Sequence, residues 1–95
     1  MKFRKKPIVI DAYKVTEIDY DGFLMFGCFC NPPDWLSTAT AKGQICTRGN
    51  MIYVETQTGD MRVTINDYIV CGADGELYPC KASIFERTHE RVECD

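Results

Sequence analysis

Five side chains in this 95-residue chain have the chemistry to hold a phosphate-bearing ligand: Trp35, Arg48, Arg62, Tyr68 and Lys81. Flat aromatic faces stack on a base, and guanidinium and ammonium groups pair with phosphate oxygens. Arg48 falls at an expected hairpin tip and Arg62 on a strand face. Lys81 begins an expected terminal helix, whose first backbone N–H groups also favour an anion. Each has a plain structural alternative. Trp35 can fill the core against a helix, Arg48, Arg62 and Lys81 can be solvated surface charges, and Tyr68 can pack in a sheet like Tyr13, Tyr53 and Tyr78.

Covalent and metal chemistry have less to work with. Six cysteines and one histidine allow a Cys–His pair on paper, but no nucleophile sits in a G-x-S-x-G or papain-like setting. Cys28 and Cys30 are one residue apart, Cys46, Cys71, Cys80 and Cys94 are scattered, and His89 has no partner at ligand spacing. A zinc site needs paired ligands, so no metal is expected, and Cys71 and Cys80, in apolar runs, are expected to act as small apolar residues. Neither a phosphate-binding G-x-x-x-x-G-K nor a dinucleotide G-x-G-x-x-G is present. The expectation is a non-enzyme without a cofactor.

Composition bounds the partners. Eleven basic against fourteen acidic residues give a net charge of −3, against non-specific nucleic-acid binding, which needs clustered positive charge. The basic start, Lys2 to Lys6, precedes only Ile8-Val9-Ile10 before Asp11, too short for a signal peptide or a membrane span. A soluble protein kept in the cell that makes it is expected, with no membrane partner. One small domain over residues 1–95 buries a modest core, and self-association into a homo-oligomer would bury more.

The elements that would position these residues follow from pattern. Pro7 to Val15 reads as a strand. Thr16 caps a helix from Glu17 to Phe26, with Ile18, Phe23, Leu24 and Phe26 on one face and Gly27 as its stop. After Asn31-Pro32-Pro33-Asp34, a short helical turn at Trp35-Leu36 has Pro33 at its first position, and Ser37 to Gly43 reads as a surface loop. Gln44–Thr47 and Met51–Glu55 flank a three-residue hairpin loop, Arg48-Gly49-Asn50. Thr58-Gly59-Asp60 turns into the strand Met61–Thr64. Tyr68–Cys71 and Glu76–Cys80 follow, the latter an edge strand by virtue of Pro79. Lys81 to Arg87 fits a short helix, and His89 to Glu93 a last strand. The fold class is α+β, a small mostly antiparallel sheet or open barrel with one N-terminal and one short C-terminal helix.

Two blocks of the chain resemble a family of small phage and prophage proteins. The first is Lys2-Phe3-Arg4-Lys5-Lys6-Pro7-Ile8-Val9-Ile10-Asp11-Ala12. The second comprises Gly59-Asp60-Met61, Asp67-Tyr68-Ile69-Val70, Gly72, Gly75-Glu76, Tyr78-Pro79-Cys80-Lys81 and Ile84-Phe85-Glu86. Asn66 stands where the family usually has Gly, and Asn is the next-best residue for a left-handed backbone. The resemblance implies a phage or prophage origin and an accessory role in the cytoplasm of an infected bacterium. With the ligand-binding inventory above, it leads to a sponge that sequesters a nucleotide-type signal of a host defence system. The alternatives are an inhibitor docking on a host defence enzyme or nuclease through acids such as Glu86, Glu90, Glu93 and Asp95, and a structural or replication accessory protein.

Overall fold

The computed structural model describes residues 10–88. Three helices pack with two three-stranded antiparallel sheets, ordered β1-β5-β6 and β2-β3-β4, that do not close into a barrel. Chain order is β1 (Asp11–Lys14), α1 (Glu17–Phe26), α2 (Asp34–Ala41), β2 (Ile45–Arg48), β3 (Met51–Thr56), β4 (Gly59–Val63), β5 (Tyr68–Cys71), β6 (Leu77–Cys80) and α3 (Ala82–Thr88). The α+β expectation holds, and Pro79 lies in edge strand β6. The part of the expected first strand before residue 10, the expected last strand at His89–Glu93, and Cys94 lie outside the described residues.

Local chemistry explains α1. The Thr16 side chain accepts from the Asp19 N–H while the Asp19 carboxylate accepts from the Thr16 N–H, a reciprocal capping box. Gly27 ends the helix in the left-handed region, φ 74°, with its N–H on the Phe23 carbonyl. The expected apolar face is corrected: Phe23 is buried and Tyr20 and Leu24 pack beside it, but Ile18 and Phe26 point outward. At 100° per residue the two groups occupy opposite sides of the helix. Gly22, mid-helix, costs about 1 kcal/mol relative to Ala, and a Cβ there would meet only the Cys28 carbonyl, at 3.8 Å.

The surface loop expected at Ser37–Gly43 is instead mostly the rest of α2, which runs to Ala41. Its buried residues are only Leu36 and Ala39, too few to register as a periodic pattern, yet both join the core where α2 packs on β2. Pro33 precedes the helix rather than opening it.

The hairpin turn is also tighter than expected. Arg48 pairs with Met51, so the turn is Gly49–Asn50 alone, with Gly49 at φ 61°, as in turns whose first central residue is Gly. Likewise Gly59 already pairs with Thr56, and the turn is Gln57–Thr58. Asn66 adopts φ 76°, the left-handed conformation expected of it. Around it the link between β4 and β5 is tied to the link between β1 and α1: Val15 N–H bonds the Asp67 carbonyl at 2.9 Å and Asn66 N–H the Val15 carbonyl at 2.6 Å.

The core lies between the sheets and under α1 and α2. Ile52, Val54, Val63, Ile69, Leu36 and Val15 are fully buried there. Because alternate strand residues face opposite ways, Ile52 and Val54 inward force Met51, Tyr53 and Glu55 outward.

Candidate functional site

The outward face of β2-β3-β4 gathers the strongest ligand chemistry among the described residues. Tyr53 is directly opposite Arg62 on β4 and Cys46 on β2, a separation at which cross-strand side chains touch. Arg48, on the same face, lays its guanidinium over the Tyr53 ring at 4.9 Å and reaches across to an ion pair with Asp60. The Tyr53 hydroxyl points toward Met51 Sδ at 3.5 Å. Arg48 is 62% exposed, so this pair is wet. Arg62 is exposed and makes no ion pair among the described residues. One aromatic ring with a guanidinium on it and a second beside it can stack a planar group and hold an anion.

The other three expected residues lie elsewhere. Trp35 is half-buried on α2 and packs against the core, on the opposite side of the sheet from Arg62. Lys81 places Nζ 3.5 Å from Asp67 Oδ2 and 3.2 Å from Thr64 Oγ1. Asp67 is buried and also accepts from the Thr64 N–H and hydroxyl, both at 2.9 Å. Lys81 therefore serves a structural carboxylate, and the seven-residue α3 behind it is too short for its N-terminus to add an anion site. Tyr68 is stacked with Phe85 of α3 at 4.1 Å and donates to Glu86 Oε2 at 2.9 Å. Burial, then that hydrogen bond and the Glu86 charge, push its phenol above the ordinary range. Arg48 and Arg62 thus come together, while Trp35, Tyr68 and Lys81 are held by packing and pairing.

Sequence reasoning missed Tyr53 as the centre of the site. The alternation of Ile52 and Val54 around it could have set it outward, but its pairing with Arg62 depends on a register that no local signal gave. Asp60 was missed likewise.

Asp19 is the other buried carboxylate among the described residues. The Tyr13 hydroxyl lies 2.6 Å from it, the Thr16 hydroxyl 2.7 Å and the Cys30 N–H 2.9 Å. Burial alone would raise its pKa, but the combined hydrogen bonds from Tyr13, Thr16 and Cys30 outweigh that and hold it below the usual carboxylate value. Burial, then the hydrogen bond to Asp19, raises the Tyr13 phenol in turn. Through these donors Asp19 ties β1, α1 and the Cys30 loop together, and the Tyr13 hydroxyl also lies 2.6 Å from the Cys30 carbonyl.

Among the described residues, two hollows open to solvent stand out. One, about 310 Å³, carries the carboxylates of Glu55, Asp74 and Glu76 and would repel phosphate. The other, about 410 Å³, mixes apolar and polar lining, with Phe23, Leu24 and Ile45 beside Thr40 and Thr47. Cys28 and Cys30 are exposed, and Cys46, Cys71 and Cys80 half-buried rather than buried. Among the described residues no three His, Cys, Asp or Glu side chains are placed to hold a metal, and no helix is long and apolar enough to cross a membrane. No family model, curated protein or solved structure matches the chain.

Proposed function

We propose that this chain is a non-enzymatic binding protein of phage or prophage type that sequesters a nucleotide-type signalling molecule in the cytoplasm of an infected bacterium. The observation that carries this reading is the convergence of Arg48 and Arg62 on Tyr53, on one open sheet face. The ligand's base stacks at the Tyr53 edge and its phosphate takes the exposed Arg62. Arg48 adds charge and holds the ring, with Asp60 as its counter-ion until an anion competes. The phage character rests on the sequence resemblance, and nucleotide-type chemistry is what an aromatic ring between two guanidiniums selects.

The test uses the purified full chain with a panel of cyclic mono- and oligonucleotides and ADP-ribose derivatives. Unbound ligand is removed by filtration, the protein is heated, and released intact ligand is measured. Recovery of one intact compound is expected. Arg62→Ala should weaken its binding by about tenfold or more, the loss of one charge-assisted contact, with the melting temperature nearly unchanged. Recovery of no ligand with protein in excess, or full binding by Arg62→Ala, overturns the reading. A single stoichiometric host protein retrieved from lysate, with no nucleotide bound, would replace it with the protein-directed alternative.

A further inference from the structure

Glu55 lies on the same open face as Tyr53, two positions further along β3, and directly opposite Asp60 on β4. Like charges placed directly opposite each other destabilise a strand pair. Asp60 is compensated by Arg48. Glu55 is exposed and makes no ion pair or side-chain hydrogen bond among the described residues. Its N–H bonds the Gln44 carbonyl at 2.7 Å, which sets Gln44 on its other side. The face thus has two ends. Arg48 and Arg62 surround Tyr53, and one step along the strands stands a row of acceptors, Gln44, Glu55 and Asp60. Gln44 and Glu55 also line the hollow of about 310 Å³, together with Asp74 and Glu76.

We infer that the ligand's base is guanine and that Glu55 reads it, an assignment that rests on the nucleotide reading of this same face. An ionised carboxylate only accepts hydrogen bonds, and its two oxygens take two parallel donors. Among the common bases guanine alone presents that pair, its ring N1–H beside its amino group. Adenine sets one amino group beside a bare ring nitrogen, whose lone pair would face the carboxylate. The base lies against Tyr53 and the Arg48 guanidinium on it, with its donor edge toward Glu55, and the phosphate reaches Arg62. Arg62 is diagonal to Glu55 across the β3–β4 pair, a separation of about 7–8 Å, and the long side chains at both ends let one nucleotide span it. Glu55 and Asp60 offset the charges of Arg48 and Arg62, so a single phosphodiester charge suits this face better than a polyphosphate.

Equilibrium dialysis of the full chain against the cyclic monophosphates of guanosine, inosine and adenosine tests it. Each carries one negative charge, so only the base differs. The expected order is guanosine, then inosine, which lacks the amino group, then adenosine, with about tenfold between first and last. Glu55→Gln keeps one acceptor but turns a donor toward the base, and should bring the guanosine-to-adenosine ratio close to one. Its melting temperature should rise slightly, since the acid facing Asp60 is gone. A merely structural role for Glu55 would lower both affinities together and leave the ratio alone, which overturns the assignment. A guanosine preference that survives Glu55→Gln overturns it too. Equal binding of guanosine and adenosine forms, still lost in Arg62→Ala, or capture of an ADP-ribose derivative instead, overturns guanine while the nucleotide site stands. Capture of no nucleotide at all removes the site and this assignment with it.

Discussion

The two sheets carry nearly the same trio on their outward faces. On β1-β5-β6, Tyr68 has Lys14 at 5.7 Å from its ring and the Glu86 carboxylate on its hydroxyl. On β2-β3-β4, Tyr53 has Arg48 over its ring, and Arg48 is paired to Asp60. The difference is a lid. Phe85 of α3 stacks on Tyr68 with the rings 19° from parallel, and Lys14 and Glu86 pair at 3.5 Å beside it. No described helix lies over Tyr53, and Arg62 is added there with no counter-ion among the described residues. The same combination of a tyrosine, a cation and a carboxylate therefore fastens a helix in one place and offers a surface in the other. Whether an aromatic-cation pair is scaffold or site depends on what covers it.

The largest expected contrast lies between the two paired aspartates. Asp67→Ala removes a buried carboxylate that holds the Thr64 turn and Lys81, and should cost about 2–4 kcal/mol in urea unfolding, because buried donors lose their acceptor. Asp60→Ala removes a solvent-screened partner and should cost under about 1 kcal/mol. Equal costs would erase the distinction between the covered and open sheets. Next in size is the lid: Phe85→Ala should lose about 1–2 kcal/mol through partial burial and ring stacking, whereas Tyr53→Ala should stay within about 1 kcal/mol while ligand capture falls.

The smallest effect sharpens the comparison through pH. Partial burial and the bond to Glu86 push the folded Tyr68 phenol above its ordinary value of 10.0. Its contribution is therefore complete below pH 10 and is lost as pH rises through the raised folded value. Denaturant melts in the alkaline range should show this loss, and Tyr68→Phe should reduce its steepness. An unchanged slope in Tyr68→Phe would mean that the lid does not govern the titration.

Much of the fold was legible because its signals are local. Thr16, Asp19 and Gly27 bound α1 through contacts three or four residues apart, Asn66 meets its own backbone demand, and Pro79 excludes itself from a central strand. The extent of α2 was not legible, since two inward residues, Leu36 and Ala39, make no visible period until β2 and the core supply the surface they bury against. The outward face of α1 was misread for a related reason: Ile18 and Phe26 are apolar, but only packing tells which apolar residues a helix turns inward.

The candidate site divides the same way. Residue type alone marked Arg48 and Arg62 as cations worth following, and strand alternation was enough to turn Tyr53 outward. Which cation is spent on which acid was decided in three dimensions. Arg48 meets Asp60 across 12 residues, Lys81 meets Asp67 across 14, and Tyr68 meets Glu86 across 18. Such pairings follow from strand register and from where α3 docks. Coulomb and hydrogen-bond energies act only over the few ångströms that tertiary packing creates, so the chain determined the inventory and the fold determined which part of it is left free.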